Sequence, residues 1–496
     1  MMMADWMESL ARQYADTRRR YPDDRLLIVF DIDGTILDLR HMVCHVLLDY
    51  DRRHGTAHFR GLTSLDIAVH ENEIGRLLDG YAIDADEKAR ILAFCGERCW
   101  QTDSILASHR PYRGVLEVIR WFQLQPDVDV ALNTGRPERL RDATLRSLNA
   151  LGRACRVAFS SDLLLMNADG NDARIAETKA AAIRRLRGCG YRIFAVVDNE
   201  PFNLETMAQA DEDGEILFLH AETLFLSSVR DMDRTVRGRD YDITRLFGRS
   251  GIPERVRFVW HGVNEETMLS HFLASPMQWC EANVRTDPYG ALVLRDRSYC
   301  RAPWRREEKP PRFDRFVDRI LRHGKSMKLD LEEGRDSLDR ILGTLCMHGV
   351  AADRLWFNGK VEEIGCEGFR LIRTVFPGAT IQCPVDFLAP VVRAMPERAR
   401  DMLQLLASWG IDRFSIGWET ERDHRIFGVL DEWGFAVNIY DIPDLRAFLE
   451  AALMLPHSLT ARFGGFPAAQ MSPSSGVLPE IAPGTAEAGL SYTRVA

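Results

Sequence analysis

Short apolar, β-branched runs alternate with helical periodicities along almost the whole chain, and this alternation limits the architecture more than any single motif. In the first half the runs are Arg25–Asp33, Val128–Thr134, Ala154–Ser160, Tyr191–Asn199 and Glu215–His220, with helical spacing over Val115–Phe122 and Ala176–Leu186. Strands that are apolar on both faces and separated by helices pack as a parallel sheet covered on both sides. From Arg255 a second series begins: Val256–His261, Trp279–Arg285, Met327–Leu331, Leu355–Asn358, Thr380–Cys383, Arg413–Trp418, Ala436–Tyr440 and Leu459–Phe463. Helical segments such as Gly334–Met347 and Ala399–Trp409 fall between them. Eight strand–helix units in about 210 residues predict a (β/α)8 barrel. The expected class is therefore α/β, a Rossmann-like parallel sheet followed by a TIM-type barrel.

A chain of 496 residues exceeds one ordinary core, which agrees with two domains. The predicted organisation is an N-terminal helix or extension over 1–23, a sheet domain over 24–222, a polar linker over 223–252, the barrel over 253–466 and a disordered tail over 467–496, rich in Pro, Ser, Gly and Ala. Between the first two strands, residues 38–110 read as a helical insert, with apolar helical spacing in Met42–Tyr50, Glu71–Tyr81 and Asp86–Trp100. An insert after a strand's carboxyl end sits over the edge where such sheets bind ligands, so a helical cap is expected. Tyr81, Trp100 and Tyr112 are candidate substrate contacts or, equally, core aromatics.

The formal charge is −9, so no basic surface points to nucleic acid. The ten cysteines are scattered, and the Cys95/Cys99 pair has no second pair or His cluster to complete a zinc site. No apolar run reads as a signal peptide or a membrane span, and a cytoplasmic location with no membrane partner is expected.

The strand ending Asp31-Ile-Asp33-Gly-Thr35 places two carboxylates at the carboxyl edge of a sheet, with a Gly that permits a sharp turn. They read either as a strand cap or as a phosphoryl-transfer pair, one carboxylate attacking phosphorus and the other handling the leaving-group proton. Repulsion between two acids and a phosphate must be offset by cations, and the candidates are a metal held by Asp198 and the ammonium of Lys179. Asn133-Thr134-Gly135-Arg136 closes the second strand, where a hydroxyl and backbone N–H groups can hold phosphate oxygens. Val196-Val197-Asp198-Asn199-Glu200 closes another, with acids suited to an oxygen-only magnesium site.

In this order the four segments resemble the haloacid dehalogenase superfamily over roughly residues 24–222. Asp31-Ile-Asp33-Gly-Thr35 matches its first motif, Thr134 its second, Lys179 its third, and Asp198 with Asn199 or Glu200 its fourth. The resemblance implies Asp31 as nucleophile, Asp33 as general acid/base, Thr134, Gly135 and Lys179 as phosphate-binding groups, and Mg2+ held by Asp31, the Asp33 carbonyl and Asp198. Glu200 is the candidate supporting acid, because no second Asp directly follows Asp198. An acid at position 33 implies a phosphatase rather than a dehalogenase or ATPase, and the position of the insert matches a cap associated with small substrates.

The barrel half carries polar residues at the carboxyl ends of consecutive strands, where barrel enzymes place their chemistry: His261, Glu281, Asn283, Lys328, Asp330 and Asn358. His261, Glu281 and Asp330 together suit a metal or acid–base site. His261-Gly262 with the following Asn264, Glu281-Ala282, Lys328-Leu-Asp330-Leu, Leu355-Trp-Phe-Asn358 and Phe414-Ser-Ile-Gly-Trp418 resemble the glycerophosphodiester phosphodiesterases and their menorin-type relatives, over roughly 255–465. Two positions depart. Asn283 stands where those enzymes hold a metal with Asp, and Arg295 stands where they have a second catalytic His, although Asp296 is kept. Neutral Asn weakens a divalent-metal site and Arg cannot act as a base near neutral pH. The combined expectation is a magnesium-dependent phosphomonoesterase forming an aspartyl-phosphate on a small phosphorylated metabolite, with a barrel that either cuts phosphodiesters or binds an anionic ligand. A non-catalytic ligand-binding or scaffold protein is the competing expectation.

Overall fold

The structure, a computed structural model, describes residues 5–69, 73–168, 174–223, 235–246, 256–299, 302–303, 308–333 and 335–462. The tail expected from Pro467 lies outside these residues, as do Phe463 and most of 223–252. Among the described residues, no helix is long and apolar enough to cross a membrane.

Six parallel strands form the first sheet: β1 (Leu26–Phe30), β2 (Val128–Pro137), β3 (Leu164–Asn167), β4 (Arg192–Asp198), β5 (Leu217–Ala221) and β6 (Thr235–Gly238), in the order β3-β2-β1-β4-β5-β6. All five residues of β1 are buried because the strand is central and covered on both faces. Leu26, Ile28 and Phe30 enter one apolar core, while Leu27 and Val29 enter the opposite one beneath the helices Ile175–Gly188 and Pro201–Gln209. The chain winds outward from β1 through β2 to β3, then returns to the other side of β1 as β4. The switch point therefore lies between β1 and β4, where such sheets open a crevice at their carboxyl ends. There Asp31 N donates to the Val197 carbonyl at 2.8 Å.

The second unit is a barrel of β7 (Arg257–Trp260), β8 (Trp279–Thr286), β9 (Leu292–Leu294), β10 (Ser326–Leu331), β11 (Leu355–Asn358), β12 (Thr380–Pro384), β13 (Arg413–Gly417), β14 (Ala436–Ile442) and β15 (Ser458–Ala461). Eight of these strands are parallel and close through the β15–β7 and β8–β10 pairings, whereas β9 turns back antiparallel on β8. One apolar cluster runs from the first sheet face through the helix Val115–Gln123 into the barrel. Arg120 Nε donates to the Leu453 carbonyl at 3.2 Å, and Arg156 pairs with Asp431 and lies over the Phe427 ring. The helical insert comprises Arg40–His54, Ile74–Leu78, Ala85–Arg98 and Thr102–Ser108 around its own core of Met42, Leu47, Tyr50 and Ile91.

Two expectations are corrected. Ala154–Ser160 is not a strand. Val157 and Phe159 are buried, but Asn149 satisfies the Phe159 backbone through its own side chain, accepting from N at 2.7 Å and donating to O at 3.2 Å, and the third strand is Leu164–Asn167 instead. The segment read as a linker also contributes to the first domain. Its β6 pairs with β5, the N-terminal helix Trp6–Arg20 lays the Trp6 ring against Gly238, and Tyr241 donates its hydroxyl to the Thr35 carbonyl at 3.0 Å.

Gly114 shows how tightly this segment docks. Its φ is +89°, and a Cβ there would lie 2.1 Å from the Tyr241 carbonyl oxygen. Gly114→Ala is expected to cost about 2 kcal/mol or more in urea unfolding. Gly55→Ala, at φ +69° with open space around it, should cost only the conformational term of about 1 kcal/mol.

Candidate functional site

The carboxyl ends of β1, β2 and β4 bring Asp31, Thr134 and Asp198 to the switch point, and the helix Ile175–Gly188 delivers Lys179 between them. Lys179 Nζ donates to Asp31 Oδ1 and to Asp198 Oδ2, each at 2.6 Å, with all three groups buried. Burial would lower the lysine, but the charges of Asp198 and Asp31 more than offset it and raise its pKa. Asp31 moves to about 7. Burial is the largest cause and Lys179 opposes it, while the charges of Asp198 and Asp33 push it further up. Two buried carboxylates thus share one ammonium, and the cluster keeps an excess negative charge.

Asp33 faces a different partner. Arg136 forks onto it, Nη2 to Oδ1 and Nε to Oδ2, both at 2.6 Å. Burial would raise Asp33, but the charge and hydrogen bonds of Arg136 outweigh it and hold the carboxyl below its ordinary range. Arg136 is itself fixed by Thr144 Oγ1 at 3.0 Å, by His109 Nε2 at 3.2 Å and by the Trp100 ring, 5.3 Å away. His109 is driven down to about 3, first by burial and then by Arg136, so it is neutral and can accept from the guanidinium. The insert therefore reaches the strand ends through its return segment. Trp100 stands over the site, while Tyr81 packs on Phe59 inside the insert and Tyr112 packs on the main core.

Two asparagines on the strand ends hold this arrangement. Asn133 Nδ2 donates to the Lys179 carbonyl at 3.0 Å, anchoring the lysine's helix to β2. The amide of Asn199 fits with its nitrogen toward the Asp33 carbonyl at 2.9 Å and Asp31 Oδ2 at 3.3 Å, because both are acceptors. The reverse orientation offers only long contacts, Thr35 Oγ1 at 3.4 Å and Glu200 Oε1 at 3.3 Å. Arg136, two residues after Thr134 on one strand end, was legible as a neighbour, and Asn199 as part of the segment closing β4; His109 carried no such signal.

Glu200, the candidate supporting acid, donates its main-chain N–H to Asp198 Oδ1 at 2.8 Å. Among the described residues, no group of three or more His, Cys, Asp or Glu side chains could hold a metal. The set at hand is two carboxylates and a main-chain carbonyl. Asp31 Oδ2 and the Asp33 carbonyl converge on one donor, the Asn199 nitrogen, and the surplus negative charge is of the sign a cation neutralises. These all-oxygen donors fit Mg2+ chemically.

In the barrel, register builds a second cluster. Asn283, Asp330, Asn358 and Gln382 stand directly opposite one another on β8, β10, β11 and β12. Asn264 Nδ2 donates to Asn283 Oδ1 (2.8 Å) and Asn283 Nδ2 to Asp330 Oδ2 (3.1 Å). From the other side, Gln382 Nε2 donates to Asn358 Oδ1 (2.8 Å) and Asn358 Nδ2 to Asp330 Oδ1 (2.9 Å). One level below, Glu281 faces Lys328 Nζ at 2.7 Å and His261 Nε2 at 3.4 Å. Burial opposes ionisation of Glu281, yet Lys328 and His261 keep it below its ordinary range; Asp330 rises to about 7 through burial and the charge of Glu281. Asp296 lines the same cavity of about 310 Å³, but Arg295 turns away to Glu308 at 2.9 Å and the Tyr299 ring.

The Arg136–Asp33 pair generates a stability prediction with a defined pH window. Asp33 has a lowered folded pKa, so its contribution is present above its ordinary value of 3.8 and is lost as pH falls below that value. Arg136→Gln should cost about 2 kcal/mol near neutral pH, below the range for a fully buried pair because Asp33 keeps 16% of its side chain exposed. In urea melts the gap to wild type should narrow as pH falls, beginning where Asp33, no longer held down by Arg136, protonates in the folded variant, and should close below about 3.8.

No family model matches the chain, and no curated protein matches it in sequence. Solved structures similar to it are of two kinds. A glycerophosphodiester phosphodiesterase from Parabacteroides distasonis shares 12% identity, covering 42% of this chain and 93% of that one, with a TM-score of 0.33. One from Agrobacterium tumefaciens shares 12% identity over 44% and 97% of the two chains, with a TM-score of 0.31. A HAD-superfamily hydrolase of subfamily IA from Geobacter sulfurreducens shares 14% identity over 45% of this chain and 96% of that one, with a TM-score of 0.31. Both families that the sequence resembles are thus represented among the similar solved structures.

Proposed function

We propose that the chain is a magnesium-dependent phosphomonoesterase acting on a small phosphorylated metabolite through an aspartyl-phosphate on Asp31. The observation that carries this reading is the buried Asp31–Lys179–Asp198 cluster at the switch point, beside an Asp33 clasped by Arg136. An Asp31 carboxylate oxygen attacks phosphorus as the bond to the leaving alkoxide breaks, and Asp33 supplies the proton to that oxygen. Asp33 then takes a proton from the water that hydrolyses the acyl phosphate, releasing inorganic phosphate and restoring both carboxyl groups. Lys179 holds Asp31 in place and offsets charge; Thr134 and the Gly135 backbone bind phosphoryl oxygens. A phosphoryl group entering beside Arg136 shares the guanidinium's charge, which moves Asp33 back upward so that it can carry a proton. Asp31, the Asp33 carbonyl and Asp198 would hold Mg2+, which would supply positive charge to lower Asp31 and offset repulsion of the incoming phosphate.

Hydrolysis of p-nitrophenyl phosphate tests this. The wild type should turn over in Mg2+, lose activity with EDTA and recover it when Mg2+ is restored. Asp31→Asn should lower kcat by a factor on the order of 10³ or more with the fold intact by circular dichroism. Full activity in Asp31→Asn, or none on any phosphomonoester in the correctly folded wild type, overturns the assignment. Arg136→Gln should separate the steps further, with a higher KM and an acid limb of the kcat profile moved to higher pH as Asp33 loses the group that lowers it.

A further inference from the structure

The barrel cavity presents a chemistry that the phosphatase reading does not use. A divalent metal does not fit it. Both oxygens of Asp330 are occupied by amide N–H donors, and those of Glu281 face Lys328 and His261. A cation placed here would meet the Lys328 ammonium and the amide nitrogens rather than lone pairs. Asn283, at the position where Asp would be a ligand, spends its own oxygen on Asn264 and its nitrogen on Asp330.

The direction of the hydrogen bonds is fixed from both ends. Asn264 and Asn283 donate inward from one side, Gln382 and Asn358 from the other, and Asp330 accepts both. At the Gln382 end the chain stops. Gln382 Oε1 has no hydrogen-bond partner, nor has the hydroxyl oxygen of Ser415 on β13, and both residues are 1% exposed and line the cavity. Buried polar atoms without partners cost roughly 1–3 kcal/mol each unless something supplies the bond. Gln382 Oε1 needs a donor, and Ser415 can give or take. The carboxylates of Glu281, Asp296, Asp330, Glu332 and Asp441 outnumber the cations Lys328, Lys360 and Arg462 along the cavity, and Lys328 is engaged by Glu281 and Lys360 by Glu363, so a strong anion is not favoured. Hydroxyl groups match, since each both donates and accepts. Tyr440, with its hydroxyl fixed on Asp386 at 2.7 Å, adds an aromatic wall. The volume of about 310 Å³ lies at the small end of ligand pockets and suits a single sugar-sized molecule.

From this geometry we infer that the barrel is a metal-independent binding site for an uncharged polyhydroxy compound of monosaccharide size, and not a second phosphodiester-cleaving centre. The inference stands apart from the phosphatase reading, because none of its residues lies in the first sheet.

Isothermal titration of the full chain with glucose, myo-inositol and glycerol tests it, with and without EDTA, alongside the monophosphate ester of glucose and Mg2+ or Ca2+ alone. Asp31→Asn protein is used for the phosphorylated probe so that it is not consumed. At least one uncharged polyol should bind with an affinity that EDTA leaves unchanged and that Asp31→Asn does not alter. Ser415→Ala and Gln382→Met should each weaken it about tenfold, and either variant suffices if the other fails to fold. Binding by none of the three polyols, binding that requires a divalent ion, binding of the phosphate ester tighter than that of glucose and weakened by Ser415→Ala, or a second Mg2+ or Ca2+ per chain lost in Glu281→Gln would each overturn it. Hydrolysis of bis-p-nitrophenyl phosphate that survives Asp31→Asn but not Glu281→Gln would do the same.

Discussion

The bond on which the first domain's site depends is the ammonium of Lys179 held between Asp31 and Asp198. Three strands and a helix must be in register for it to form, because Asp31 follows β1, Asp198 ends β4 and Lys179 is carried by a helix tied to β2 through Asn133. A lone carboxylate at this depth would protonate rather than stay charged. One ammonium for two acids leaves a deficit of positive charge at this strand edge, and in the proposed reaction a bound cation would offset it. Asp33, a few atoms away, is balanced separately by Arg136, so neighbouring carboxyl groups are driven in opposite directions. Splitting the acids in this way is how one site obtains a nucleophile and a proton carrier from the same residue type.

The barrel solves the burial of carboxylates differently. Glu281 is balanced inside the cluster by Lys328 and His261, and Asp330 receives two amide donors from strands on either side. Parallel register makes this possible, since four side chains placed directly opposite one another across β8, β10, β11 and β12 face the same interior. Among the described residues no acid cluster here could hold a metal, and two buried polar atoms without hydrogen-bond partners, Gln382 Oε1 and Ser415 Oγ, lie at one end of the ladder. The two halves are welded by a shared apolar cluster and by Arg120 and Arg156, which places two chemically distinct cavities on one body.

Much of this was legible in the sequence, for identifiable reasons. β1 reads as a central strand because residues 26–30 are apolar on both faces, and they are buried on both. The eight barrel strands show the same apolar signature at even spacing. Ala154–Ser160 misled because Val157 and Phe159 alternate into the core as a strand's residues would, while Asn149 takes over the backbone bonding. β6 was missed because Thr235–Gly238 is a short, half-buried strand at the sheet's edge, carrying an Arg in place of an apolar residue. Asp31, Thr134, Lys179 and Asp198 announced themselves by residue type at strand ends. Arg136 and Asn199 stood in segments already singled out, but their contacts, like those of His109, join segments distant in the chain, which no local pattern encodes. In the amide ladder Asn283, Asp330 and Asn358 were legible as polar residues at the carboxyl ends of strands, whereas Gln382 is an ordinary strand residue until register aligns it with them.

The claim that Asp31 forms a covalent phosphoryl intermediate is the one on which the account of the first domain turns. It is tested most directly by an acid quench of the enzyme during turnover of a radiolabelled phosphomonoester, followed by peptide mapping. The account predicts label retained on the peptide containing Asp31, released by hydroxylamine and absent from Asp31→Asn. Label on another residue, or turnover that leaves no label on the chain in the steady state or in a single-turnover quench, would contradict it.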